Sequence, residues 1–358
     1  MKLPTPVRRL EALESGTGQG LEAVFASSCG RGPGGALESV HAPSPHGGGT
    51  KGGGNPIWVK HDDLTASLYG GNKVRKLEYI LRQARDRGVS RLVTVGAVGS
   101  HHVLATALYG RLAGFSVEAI LVPQPRTEHV VSDIRASLGQ GLVAWPVRAW
   151  AHVPLSVMRR LGRDAMWIPA GGSSVDGALG YVAAVRELAD QVSAGECPEP
   201  DWIVTTLGSG GTVAGLAAGV EMMGMKSRVL AVCVAEPPAV IEPATVWLAW
   251  KTAEHAGVKT SLSKLRKRIV VERKYLGAGY GKPTAWGTEA ISVGHSLGLI
   301  LDQTYTAKAF AAVIERSRDP RSGVLLYWHT LSSAPLAPLL QSAPTEQNLP
   351  AGVRALIM

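Results

Sequence analysis

From Lys73 onward the apolar residues recur in two alternating rhythms. KVRKLEYILRQARDRG carries them on one stripe at helical spacing and stops at Gly88, which predicts an amphipathic helix. RLVTVGAVGS follows as a short apolar run into a glycine-containing turn, which predicts a buried strand. HHVLATALYGRLAG and SVEAILVP repeat the pair, as do VSDIRASLG and GLVAWPV, and VDGALGYVAAVRELADQVSAG predicts a long helix. WIVTTLGSGGTVAGLAAGVEMMG reads as strand, glycine loop and helix, and SRVLAVCVAE as one more buried strand. Upstream, IWVKHDDL predicts a strand leaving the core at two carboxylates. Strands rich in Val, Leu and Ile alternating with helices predict an α/β protein whose parallel sheet is covered on both faces. Such sheets bind ligands at the carboxyl ends of their strands, where the glycine and serine turns fall here. Residues 30–54 break the rhythm: ten of the 25 are glycine, which predicts a flexible insertion.

Composition narrows this picture. With 358 residues, 45% hydrophobic and 18% charged, the chain can build one large or two medium cores and is not disordered throughout. The opening MKLPTPVRRLEALES has no apolar stretch to serve as a signal-peptide core, and no window reaches the roughly 18 apolar residues of a spanning helix. The expectation is a soluble cytoplasmic protein with no membrane partner. Cys29, Cys197 and Cys233 lie far apart without CxxC spacing, which predicts reduced, unpaired thiols. The net charge of +9 is densest over residues 251–274, but no aromatic residues interleave with those charges and no reader motif accompanies them. A solvated helical face, or a general pull on anionic ligands, accounts for the excess without nucleic acid.

Four constellations carry candidate chemistry. GGNKVRKLE, Gly70 to Glu78, sets Lys73 between a glycine turn and the first turn of a helix. A cation is disfavoured at that end of the helix dipole, which helps lower the lysine toward the neutral amine a nucleophile needs. LGSGGTVAG follows a strand and precedes an Ala-rich helix. Gly208, Gly210 and Gly211 let backbone amides converge on one anion, and Ser209 and Thr212 add hydroxyl donors, so the loop reads as a phosphate cradle. It lacks the GK[ST] ending of a nucleotide P-loop. A dinucleotide site shares the Gly208-x-Gly210 start and could use Glu236 for a ribose, but Val213 stands where its third glycine or alanine belongs and no second nucleotide-binding half follows. Ser100, His101 and His102 close one strand, and Tyr280 and Tyr305 sit in GAGYGKPT and LDQTYTAKA. The serine and tyrosines are candidates for proton transfer or carboxylate binding. The paired histidines suggest metal, yet adjacent histidines rarely face one centre and no third ligand is apparent, so no metal is expected.

In this order the pieces resemble the pyridoxal-phosphate family that contains D-cysteine desulfhydrase and 1-aminocyclopropane-1-carboxylate deaminase, within the tryptophan-synthase-like, fold type II group. The likeness runs from about Pro56 to Leu331 through KHDD, GGNKVRKLE, VTVGAVGS, GSGGTVAGL, GYG, LDQTYTAKA and a terminal HT. The resemblance implies two three-layer αβα units with mainly parallel sheets, residues 1–75 and 181–358 forming the larger and 76–180 the smaller, and a homodimer. It implies that Lys73, next to Asn72, holds pyridoxal 5'-phosphate and removes the substrate α proton, and that Gly208 to Thr212 hold the cofactor phosphate. It implies that Ser100 meets the substrate carboxylate or assists proton transfer, that Tyr280 and Tyr305 are the active-site tyrosines, and that Thr330 bonds the pyridine nitrogen. A hydroxyl partner does not force that nitrogen to be protonated, which favours β-elimination over transamination. Family deaminases carry a glutamate where this chain has Thr306, so the expected reaction is that of a lyase on a small amino acid such as D-cysteine. Ring-opening deamination of an aminocyclopropane acid, and a catalytically silent cofactor-binding paralogue, are the alternatives. The chain departs from the family at His101, usually asparagine and expected near the cofactor's ring oxygen, and at Leu331 and Ser332, usually two glycines whose backbone can take positive φ.

Overall fold

The protein is described by a computed structural model covering residues 1–10 and 55–358. The glycine-rich insertion expected at 30–54, and Cys29, lie outside the described residues. Two sheets organise the rest. The larger is six-stranded in the order β1 (Val7–Arg9), β2 (Ile57–His61), β10 (Leu325–His329), β7 (Trp202–Leu207), β8 (Arg228–Cys233) and β9 (Ile269–Glu272). Only β1 runs antiparallel, against β2; the other pairings are parallel. The smaller is four-stranded and wholly parallel, in the order β5 (Val143–Pro146), β4 (Ser116–Val122), β3 (Arg91–Ala97) and β6 (Ala165–Ile168).

The strands bury almost every side chain because both faces are covered. In β10, Leu326 and Trp328 enter one core with Ile203 of β7 and the small residues of α6 (Gly211–Met222), packed beside α5 (Val175–Ser193). Leu325 and Tyr327 point the other way, onto Phe310 of α10 (Thr306–Ser317) and Ala290 of α9 (Ala285–Ser296). The strand period of two thus divides the sheet between two helical layers, the three-layer arrangement expected. The smaller sheet packs Leu92, Val117 and Ile168 against α2 (His101–Leu112) and α3 (Glu128–Gly139).

Two connections place the site. Helix α1 (Asn72–Asp86) leaves the carboxyl end of β2 and runs to the smaller sheet, contributing Ile80 and Ala84 to its core. The last segment also returns there: Leu349, Val353 and Leu356 enter the same core, and Gln124 exchanges backbone hydrogen bonds with Leu356 and Met358. The basic stretch 251–274 is laid against carboxylates, Lys264 and Arg268 on Glu221 and Arg266 and Arg273 on Glu242. Cys197 and Cys233 are buried free thiols, and among the described residues no helix is long and apolar enough to cross a membrane.

Candidate active site

A cavity of about 580 Å³ opens where the carboxyl ends of β2, β3, β7 and β10 converge. Constellations that lie far apart in the sequence meet in its wall. Lys73, Ser100, His101, Gly208, Ser209, Gly210, Thr212, Tyr280, Tyr305 and Thr330 all line it, together with Asn72.

Lys73 sits in the first turn of α1, behind a turn that only glycine can make. Gly71 has φ +88°, and a Cβ there would stand 2.5 Å from the Thr330 carbonyl oxygen. That closeness is used: the Asn72 N–H donates to the Thr330 carbonyl at 3.1 Å, tying the lysine turn to the end of β10. Ser332, in place of a family glycine, accepts from the Gly70 N–H at 2.8 Å. Positive φ is confined to glycines among the described residues, so Leu331 and Ser332 hold ordinary backbone. Burial lowers the Lys73 amine from its ordinary 10.5 to about 8. Desolvation thus accounts for the shift that the helix dipole suggested.

This shift has a direct readout. Between pH 8 and 10.5 the folded chain holds Lys73 as the neutral amine while an unfolded lysine stays charged. Trapping of an aldehyde on the Lys73 peptide by borohydride, in cofactor-free protein, is therefore expected to be half-maximal near pH 8. A midpoint near the ordinary lysine value shows a solvated side chain instead.

The loop Gly208 to Thr212 joins β7 to α6, and Gly210, with φ +91°, is the residue before the helix. The first turn of a helix favours an anion at its N–H end. Asn72 Nδ2 donates to Thr212 Oγ1 at 3.1 Å, so the lysine turn and the glycine loop touch. Ser209 accepts from Ser173 Oγ at 2.8 Å, and Gly211 stands one layer back with its N–H on Ser173 Oγ at 3.0 Å. Beside them Lys76, one turn after Lys73, donates to the Gly171 carbonyl at 3.0 Å. Burial and the neighbouring Lys73 push it well below the usual lysine range.

The hydroxyls of Tyr280 and Tyr305 share a short hydrogen bond. Burial raises both, Tyr280 to about 12, so both are protonated donors near neutrality. Tyr305 is placed by Asp302, whose carboxylate accepts the N–H groups of Thr304, Tyr305 and Thr306 and the Thr306 hydroxyl. Burial pushes Asp302 up, but His101 and these donors outweigh it and hold the carboxyl below its usual value. Ser100 precedes the first turn of α2, and its hydroxyl makes no capping bond to that helix.

His101 and His102 diverge, as adjacent helical residues must. His102 is buried on Thr94 at 2.9 Å. His101 bonds the Tyr69 hydroxyl through Nδ1 at 2.6 Å and meets His129 and Asp133 of α3. Local pattern could have found Lys76, which shares a helix face with Lys73. Nothing local announced Ser173 or Asp133, which distant segments deliver, whereas Tyr69 precedes Gly70 directly and Asp302 lies within LDQTYTAKA.

An uncharged lysine amine suits an aldehyde, and a helix-capping glycine loop with hydroxyl donors suits a phosphate. Cavity and donors therefore fit a phosphorylated aldehyde such as pyridoxal phosphate. Fold and site together define an enzyme of the pyridoxal-phosphate type. The chain belongs to the family described as pyridoxal-phosphate dependent enzyme, whose model matches residues 43–330. It is 34% identical over 286 residues (77% of this chain, 84% of the relative) to a Pyrococcus horikoshii protein provisionally named as a 1-aminocyclopropane-1-carboxylate deaminase. It is 31% identical over 291 residues (77% and 86%) to a D-cysteine desulfhydrase of Yersinia enterocolitica. Among solved structures it superposes on an ACC deaminase homologue with TM-score 0.72 and 27% identity, covering 95% of this chain and 94% of the other.

Proposed function

We propose that the protein is a lyase that removes the α proton of a small amino acid, D-cysteine being the representative substrate, and eliminates its β substituent as sulfide, after which water hydrolyses the remaining imino acid to keto acid and ammonia. The observation that carries this reading is Lys73, a buried amine lowered to about 8 in a cavity that also holds protonated tyrosines. Pyridoxal phosphate, when bound, supplies the electron-withdrawing ring that makes the α proton removable. Lys73 holds the cofactor and then takes that proton, a task for which an amine near neutrality is matched. Ser100 and the first-turn N–H groups of α2 receive the substrate carboxylate, because they present donors at a helix N-terminus. The Tyr280 and Tyr305 pair hands a proton to the departing β substituent. Thr330 supports elimination, since a hydroxyl does not protonate the ring nitrogen as a carboxylate would.

A second reading, deamination of an aminocyclopropane acid, is favoured by the Pyrococcus relative. Thr306 argues against it: the hydroxyl is spent on Asp302 at 2.6 Å and no glutamate is offered there. The purified holoprotein is expected to release sulfide and ammonia together from D-cysteine. Ammonia from the aminocyclopropane acid without sulfide from D-cysteine reverses the order, and a coloured protein that turns over neither supports a silent paralogue.

A further inference from the structure

We propose that His101, His129 and Asp133 form a binding site for one first-row divalent cation of the zinc class, on the cavity wall. His129 and Asp133 lie one turn apart on α3 and so share a face. His101 comes to them from the first turn of α2, and one donor atom from each of the three residues falls within 4.8 Å of the others. His129 Nε2 is 3.1 Å from His101 Nε2 and 3.2 Å from Asp133 Oδ2. Tetrahedral zinc, with bonds of about 2.0–2.1 Å, sets its ligand atoms about 3.3 Å apart, close to both of these separations.

Asp133 supplies the independent observation. Its side chain is 1% exposed, and neither carboxylate oxygen has a hydrogen-bond partner, although two imidazoles stand beside it. A buried carboxylate without donors is costly, and a cation is the partner this geometry admits. His101 has a second contact as well: Nδ1 meets the Tyr69 hydroxyl at 2.6 Å and lies 3.3 Å from Asp133 Oδ2, while Nε2 faces His129 and is the nitrogen left for the ion. Burial, and after it the nearby Asp302 charge, push the Asp133 carboxyl well above its usual range, as expected of a buried acid with no cation beside it. His129 is 43% exposed, which gives an ion a way in. Two imidazoles and one carboxylate suit zinc, cobalt or iron better than magnesium or calcium, which prefer all-oxygen shells. The inference holds whatever reaction the cavity performs.

Equilibrium dialysis of the holoprotein against zinc chloride tests it, with cobalt chloride as the spectroscopic probe and His129→Ala and Asp133→Asn as comparisons. The wild type is expected to take up one ion per chain more than His129→Ala, with at least tenfold weaker uptake in both variants, and to show the visible bands of low-coordinate cobalt. Equal uptake by the wild type and a folded His129→Ala, its thermal midpoint unchanged, overturns the site. Cofactor colour, read in the same samples, reports the Lys73 reading separately.

Discussion

Lys73→Ala is expected to reduce turnover by at least about a thousandfold, the scale of a lost proton-transfer group, and to remove the borohydride-stable link to pyridoxal phosphate. The fall should appear in kcat, because Lys73 is proposed to move the α proton as well as hold the cofactor. Non-covalent cofactor binding should survive, since the glycine loop Gly208 to Thr212 and the Asn72 to Thr212 bond do not pass through the lysine side chain. The nearest rival is Lys76, itself a buried, lowered amine one turn away. Peptide mapping of borohydride-treated wild type separates them. A cofactor found on Lys76, or a Lys73→Ala protein with near-normal turnover, removes Lys73 from the chemistry. Lys76→Ala, by contrast, should keep the covalent link and loosen the loop at Gly171.

The fold class was legible because parallel strands buried on both faces write themselves as continuous apolar runs, and β3, β4, β7 and β8 all do so. Strand order was not legible. β10 lies between β2 and β7, a pairing of Leu326 with Trp58 and Ile203 that no local pattern encodes. The candidate residues were readable where a motif is local, as at Gly70 to Glu78 and at Gly208 to Thr212. Groups that act through space were not: Asp133 reaches His101 only because α2 and α3 pack on one face of the smaller sheet, which no stretch of sequence around His101 encodes. His101 is thus both a departure from the family and the member that connects the cavity to α3.

Asp62→Ala is expected to be the most destabilising single change among the ion pairs around α1, by about 3–5 kcal/mol, the cost of breaking a buried pair. Asp62 is fully buried and accepts from Arg75 Nε at 2.8 Å and the Tyr181 hydroxyl at 2.6 Å. Arg75 and Lys60 are buried too, and Glu187 serves both. Removing Asp62 leaves two buried cations on one carboxylate, so Arg75 keeps its charge without its closest partner. Burial pushes Glu187 up, but Arg75 and Lys60 outweigh it and hold the carboxyl at about 2. Its contribution is therefore complete above the ordinary 4.5, and is lost only as pH falls from there toward 2. At pH 7 the variant thus meets the full imbalance, and its thermal midpoint should drop on the order of 5–15 °C. Arg82→Ala, which removes an exposed pair with Asp86 at 4.0 Å, should shift stability by no more than about 0.5 kcal/mol. The active site should feel the first change and not the second. The Asp62 carbonyl accepts the Gly71 N–H at 2.8 Å, and Arg75 lies two residues beyond Lys73, so a loosened network frees the turn that presents the lysine. Cofactor affinity measured below the new melting range is expected to fall with Asp62→Ala. A midpoint within about 2 °C of wild type shows that Thr5 and Glu187 alone can hold Arg75.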